Sequence, residues 1–238
     1  MKIFYKKQYF GTNNKVNRDK WLEKTLSKIS PGARILDAGA GELQYKKYCS
    51  HLNYVSQDFC RYEGKGNGKG LQAGEWNTSK VDILSDIISI PEKDASFDAI
   101  LCVEVFEHLP DPIKAINEFA RLLKSGGYLI LTAPFCSLTH FAPYHFYSGF
   151  NRYFFDYHLE KAGFEIVKVT PNGNWFSYLA QEIRRIPFVA NQYASKKVSL
   201  FTKLIIVILL LILGRIEKND TNSSEFLCFG YHCLARKI

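Results

Sequence analysis

The stretch that most constrains how this chain can fold is Ala33 to Gln44, A-R-I-L-D-A-G-A-G-E-L-Q. Ile35 and Leu36 form a short apolar run with a β-branched member that breaks at once into small residues, the pattern of a buried strand ending in a tight turn. Glu42 onward is expected to be helical. Gly39 and Gly41 lack a Cβ, so the backbone can turn sharply and a ligand can lie against it, with the N–H groups of the following helix expected to open into the same space. Dinucleotides use such a turn too, but their fingerprint puts a third glycine where this chain has Gln44. Asp37, at the end of the strand, would repel phosphate and favour a ligand that carries positive charge. S-adenosylmethionine carries both an ammonium and a sulfonium. The plain alternative is a strand-turn-helix corner that binds nothing.

Ile35-Leu36-Asp37-Ala38-Gly39-Ala40-Gly41 resembles the first motif of class I S-adenosylmethionine-dependent methyltransferases. Ile90-Pro91, Ala95-Ser96-Phe97-Asp98, Glu104-Val105-Phe106-Glu107-His108 and Leu123-Lys124-Ser125-Gly126-Gly127 resemble the later motifs of the small-molecule type 11 branch, in the same order, so the likeness runs from Pro31 to Thr170. The resemblance implies a Rossmann-like α/β fold: a seven-stranded, mostly parallel sheet with helices on both faces and an antiparallel last strand. It also implies S-adenosyl-L-methionine as cofactor.

Following the chain from the glycine turn, Tyr54 to Asp58 reads as a second strand, and its acid stands about 20 residues past the turn, the offset at which a carboxylate meets ribose hydroxyls. Asp58, with Phe59 beside it, joins Asp37, Ala38, Gly39 and Gly41 in the expected cofactor set. Arg61 to Lys80 holds Gly64, Gly66, Gly68, Gly70 and Gly74 among polar residues and is expected to be a mobile loop. Val81 to Leu84 reads as a short third strand. In the resembled family the acid just after it meets the adenine amino group while its neighbour packs on the ring, which implies Asp86 and Ile87, with Asp82 the less favoured acid.

Phe97 to Val105 is a nearly continuous apolar run, the mark of a parallel strand buried on both faces. Ligands of open α/β sheets lie outside the carboxyl ends of the strands, which puts Glu104 and Val105 by the methionine half of the cofactor and Phe106 to His108 close by. Asp111 and Pro112 should open a helix whose packed face is Ile113, Ile116, Phe119, Ala120 and Leu123. Tyr128 to Ala133 is expected as a fifth strand, Arg152 to Ala162 as a helix closed by Gly163, Phe164 to Thr170 as a sixth strand and Glu225 to Ala235 as a seventh.

One domain is expected from 238 residues that are 47% hydrophobic and 23% charged: 1–30 a helical cover, 31–173 the cofactor-binding core, 174–224 a helical apolar insert and 225–238 the last strand. The cover carries Tyr5, Tyr9, Phe10 and Trp21 among Lys2, Lys6, Lys7, Lys15, Arg18, Lys20, Lys24 and Lys28. Arg184, Arg185, Lys196, Lys197, Lys203, Arg215 and Lys218 surround the later apolar run. The net charge of +8 raises anionic lipid, nucleic acid or an acidic substrate as partners. No RNA-binding module is recognisable, so nucleic acid is not expected as a partner and an RNA methyltransferase is a subsidiary reading. The 6 cysteines show no paired spacing of zinc type, no metal site is expected, and with no leader visible the chain is expected in the cytoplasm with free thiols.

The insert contains Leu204 to Leu213, L-I-I-V-I-L-L-L-I-L, within an apolar stretch over 198–214. A spanning helix needs about 20 apolar residues, and one crossing would also put the sixth and seventh strands on opposite sides of a bilayer. The helix is expected in the protein core, in a homodimer contact or on the inner face of a membrane, and its basic flanks favour the membrane surface.

Methyl transfer from a sulfonium leaves the protein to align the acceptor and to exclude water. The acceptor is expected to be a small molecule, or a glycan or lipid-linked intermediate, methylated at oxygen. Its proton needs a base. His108, His140 and His145 are the candidates; the last two sit in the aromatic loop Pro134 to Phe150, the expected acceptor pocket, and are favoured. The reading from another class is a membrane-associated scaffold that keeps the fold without turnover.

Overall fold

Residues of β-type at Arg34–Ala38 (β1), Asn53–Asp58 (β2), Ile83–Leu84 (β3), Phe97–Val103 (β4), Leu123–Pro134 (β5), Phe164–Asn172 (β6) and Gly230–Lys237 (β7) build one sheet in the order β3-β2-β1-β4-β5-β7-β6. This computed structural model describes residues 10–238, so Lys2, Tyr5, Lys6, Lys7 and Tyr9 of the N-terminal segment lie outside the described residues. The pairs β1–β2, β1–β4, β2–β3 and β4–β5 are parallel, and β7 runs antiparallel to β5. The expected sheet is therefore present.

Alternation decides which side chains face which layer. Ile35, Ala99, Leu101, Val103 and Ile130 share one face with Leu22 and Leu26 of α1 (Asn14–Leu26) and with Tyr45 and Cys49. Helix α2 (Pro112–Leu122) opens as the sequence implies, with Asp111 accepting from the Lys114 N–H at 3.2 Å and Pro112 in its first turn. Ile116, Phe119 and Leu122 are buried, but Ile113 is 41% exposed and does not belong to the packed face. Strand β5 starts at Leu123, earlier than expected, because Leu123 already pairs with Phe97 before the register shifts to Tyr128 opposite Ala99. Helix α3 (Arg152–Lys161) is followed by Gly163 at φ +82°.

Two further elements differ from expectation. No α-helix follows the glycine turn. Leu43 has φ +60°, and from there the chain closes tighter bonds three residues back, Lys46 to Leu43 and Cys49 to Lys46, ending in a 3-10 turn at Lys46–Tyr48. The last strand begins at Gly230, not at Glu225. A side chain on Gly230 would meet the Ala133 carbonyl oxygen at 2.4 Å, so the chain can come alongside β5 here through a glycine, while Phe226 is still 77% exposed.

The chain divides into two compact units, one of Asp19–Thr170 with Gly230–Ile238 and the other of the residues up to Arg18 with Pro171–Phe229. The second contains α4 (Trp175–Ala194), capped by Asn174 and continuous through Pro187, and α5 (Leu200–Ile216), capped by Ser199. Both helices fall within 174–224. Among the residues of α5 only Ile206 is buried; Leu200, Phe201, Leu204 and Val207 are at least half exposed. No helix among the described residues is long and apolar enough to cross a membrane.

Candidate active site

The glycine corner sits where β1 ends. Gly39 and Gly41 have φ +76° and +51°, conformations that a side chain resists, and Cβ atoms there would lie 2.5 Å from Val105 Cγ2 and 2.6 Å from Trp76 Cζ2. The expectation that its N–H groups open toward a ligand needs correction. Gly39 and Ala40 both donate to the Gln57 carbonyl at 2.9 Å, and Gly41 donates to Asp58 Oδ2 at 2.9 Å. With those donors engaged by β2 and with no α-helix behind them, the corner lacks the donor array and helix dipole that hold phosphate. What it has in abundance is negative charge.

Asp37 and Asp58 flank that corner. Ala38, fully buried, and Asp37 lie opposite Gln57 and Ser56 in the β1–β2 register. Asp58 accepts from Gly41 and, at 2.8 Å, from the Cys60 N–H, which locks its carboxylate in place. Asp37 is 1% exposed and accepts from the Tyr54 hydroxyl at 2.5 Å. Burial raises its pKa to about 7, against the Tyr54 hydrogen bond and with help from the charge of Asp58. A buried acid held this far from its ordinary range stands to gain from a neighbouring cation.

The neighbouring strand ends complete the wall. Asp82 is tied to the N–H and hydroxyl of Ser56 at 2.9 and 2.6 Å, which lowers its pKa and commits it to the sheet. Asp86 is exposed and accepts from the Ile88 N–H at 3.2 Å, and Ile87 is buried beside it. Glu104 adopts φ +54° at the exit of β4 and receives the Thr132 hydroxyl at 2.8 Å. A non-glycine residue in that region costs about 1–2 kcal/mol and is found where geometry serves a site. Val105 closes over Gly39, and Phe59 sets its ring edge-on to Tyr144 at 5.0 Å.

Tyr144 belongs to the aromatic loop, and there the three histidines meet. Ring centroids are 4.6 Å apart for His108 and His140, 4.9 Å for His140 and His145, and 6.0 Å for His108 and His145. Burial, aided by His140, pushes the pKa of His108 down to about 3, too low for it to take a proton from a hydroxyl near neutral pH. Burial also lowers His145, whose Nε2 lies 3.2 Å from Ser137 Oγ. Glu107 lies beneath them, and its Oε1 is 3.8 Å from Nε2 of both His108 and His140. The sequence marks the histidines one by one, but their convergence with Glu107 comes from two segments far apart in the chain, which no short-range spacing reveals.

The glycine-rich stretch after β2 is not a loose loop. Leu71 forms a bridge with His140, and Asn67 donates to the Ala142 carbonyl at 2.9 Å. Cβ atoms on Gly66 and Gly70 would strike the carbonyls of Ala142 and Thr139 at 2.0 and 2.4 Å, so these glycines serve close approach of two backbones. Tyr62 stacks on Phe141 at 4.5 Å, and Trp76 packs edge-on to the same ring at 5.2 Å.

Residues 36–131 match the family model described as a methyltransferase domain. Over that stretch the chain is similar to methyltransferase domains, and its sheet has the class I methyltransferase fold. The domain is similar to the ubiquinone biosynthesis O-methyltransferase of Xanthomonas oryzae pv. oryzae (strain PXO99A), 35% identical over 104 residues that make up 42% of this chain and 43% of the relative. The chain therefore spans less than half the length of the curated relatives it matches. Among solved structures, a SAM dependent methyltransferase from Archaeoglobus fulgidus aligns with a TM-score of 0.57 over 99% of both chains at 18% identity. A Haemonchus contortus phosphoethanolamine N-methyltransferase 2 in complex with S-adenosyl-L-methionine aligns with a TM-score of 0.55 over 93% of this chain and 52% of the other, at 16% identity. These two establish the methyltransferase fold over nearly the whole chain.

Proposed function

We propose that this chain transfers the methyl group of S-adenosylmethionine to an oxygen atom of a small acceptor. The observation that carries the reading is the corner at the end of β1, where a buried Asp37 and a backbone-locked Asp58 create negative potential while the N–H groups a phosphate would need are engaged by β2. Asp37 takes the ammonium, Asp58 the ribose hydroxyls, and Asp86 with Ile87 the adenine, while Ala38, Gly39, Gly41, Phe59, Glu104 and Val105 shape the wall. Curated relatives named for O-methylation in ubiquinone biosynthesis support oxygen as the atom methylated.

Bound S-adenosylmethionine supplies an activated methyl group. The chain's own task is to hold the acceptor in line, exclude water with the aromatic loop and accept the hydroxyl proton. His145, half-buried and kept neutral, is the base, with Ser137 steadying its ring. His108 donates through Nδ1 to the Tyr144 carbonyl and positions the loop. Calorimetric titration with S-adenosylmethionine tests the reading directly; a folded wild-type chain that shows no binding refutes it.

The acceptor is lipid-linked, and the chain collects it at a membrane surface through α5. Support comes from the apolar residues that α5 exposes, with Lys203 and Arg215 on the same helix. Flotation with anionic vesicles, reduced in Leu204→Glu, is the expected result. Failure to float, with α5 instead buried in a homodimer by crosslinking, would overturn the membrane assignment and leave the cofactor titration unaffected.

A further inference from the structure

We infer that Glu107, His108 and His140 form a binding site for a divalent transition-metal ion at the carboxyl ends of β4 and β5. One ligand atom from each lies within 4.8 Å of the other two, and Glu107 Oε1 is 3.8 Å from both Nε2 atoms. Metal–ligand bonds of about 2.0–2.2 Å separate adjacent ligand atoms by about 3–3.5 Å, so modest side-chain rotation closes this set on an ion.

Proximity alone would fit a histidine–carboxylate ion pair, but the hydrogen bonds on the far side of each ring fit a metal. His108 Nδ1 lies 2.5 Å from the Tyr144 carbonyl oxygen and His140 Nδ1 lies 2.8 Å from that of Leu138. A carbonyl oxygen can only accept, so each Nδ1 carries the proton, and in the neutral rings each Nε2 presents its lone pair toward Glu107. Orientation of metal-binding imidazoles by such outer carbonyls is the usual arrangement around transition metals.

The scaffold is also braced for it. The Glu107 carbonyl accepts from the Phe146 and Tyr147 N–H groups at 2.8 and 3.2 Å, which fastens the loop bearing His140 to the turn bearing the other two ligands. Phe141 stacks on the His108 ring at 5.3 Å with planes 18° apart. Two imidazoles and one carboxylate suit borderline ions such as zinc, iron(II), cobalt(II) or manganese(II), and three protein ligands leave coordination positions for another oxygen.

Resting on the proposed methyl transfer, the metal's role is to bind the acceptor hydroxyl and lower its pKa. The O–H bond breaks with its proton passing to His145, the oxygen's electron pair forms the new C–O bond, and the C–S bond breaks to leave a neutral thioether. No oxidation change is involved.

The test uses the full chain stripped with chelator and titrated with cobalt(II), followed by its visible absorption and by mass-spectrometric metal analysis. One equivalent of cobalt with a d–d spectrum is expected for the wild type and for His158→Ala. His140→Ala and Glu107→Gln should each weaken binding by at least tenfold. His140 lies on a half-buried loop, so His140→Ala keeps the test decisive if Glu107→Gln fails to fold. Absence of a saturable cobalt site in folded wild type, or unchanged binding in His140→Ala, overturns the site. S-adenosylmethionine titration of the same stripped sample separates the two readings: cofactor binding without cobalt binding removes the metal site alone, whereas cobalt binding without cofactor binding upholds the metal site and refutes the proposed activity.

Discussion

Replacing Asp37 by Asn should make the ligand-free protein more stable and a worse binder. In an unfolded chain this carboxyl titrates near 3.8; folded, burial moves it to about 7. Between those values the folded state holds a proton that the unfolded state has released, so stability falls as pH rises from about 4 and levels off above 7. Three pKa units correspond to about 4 kcal/mol at full development, and about 3 kcal/mol of that develops between pH 4.5 and pH 8. Asparagine carries no charge at either pH and still offers an oxygen to the Tyr54 hydroxyl. Urea denaturation should therefore find Asp37→Asn more stable than wild type by about 2–4 kcal/mol at pH 8, with the gain shrinking to about 1 kcal/mol or less at pH 4.5. The same substitution should weaken S-adenosylmethionine by about 10- to 100-fold, the worth of a charge-assisted contact. Wild-type affinity should itself drop about tenfold for each pH unit below 7, because the bound cation requires the ionised carboxylate. An equal stability difference at the two pH values, or wild-type affinity in Asp37→Asn, would refute the reasoning.

Asp58→Ala leaves the Gly41 and Cys60 N–H groups without their acceptor and should cost about 2–4 kcal/mol in thermal or urea unfolding; an unchanged midpoint would show that the lock is unimportant. Gly39→Ala combines a left-handed backbone with a contact of 2.5 Å to Val105, so adding Val105→Ala should recover the steric part of the lost stability and leave about 1–2 kcal/mol of backbone strain, read from the double-mutant cycle. Trp76 covers Gly41, and S-adenosylmethionine should change tryptophan emission in wild type but not in Trp76→Phe. His145→Ala should lower kcat by about 10²- to 10⁴-fold with cofactor affinity retained. Because the base works deprotonated and burial sets its pKa below 6.5, the wild-type rate should rise with pH through an acidic limb that the variant lacks.

Features encoded by neighbouring residues could be read directly from the chain. The strand–glycine corner, the acid at the end of β2, the Asp111 cap and the run that becomes β4 all declare themselves within a few residues, because turn conformation and strand burial are local demands. The segment after Gly41 was misread: its composition permits a helix, but the positive φ of Leu43 diverts it. The glycines between Arg61 and Lys80 suggested slack, whereas two of them, Gly66 and Gly70, admit the carbonyls of a loop far away in sequence. The histidines were visible as candidates. Their convergence with Glu107 was not, since it depends on where the loop after β5 folds back over the end of β4.

Trp76 is shared property. Its indole lies against Gly41 and packs edge-on to Phe141, the ring on which His108 also stacks. A side chain at position 41 would therefore collide with a ring that also packs against the aromatic loop, so a glycine at the corner is what lets the segment after β2 and the loop after β5 close over the end of β1 together.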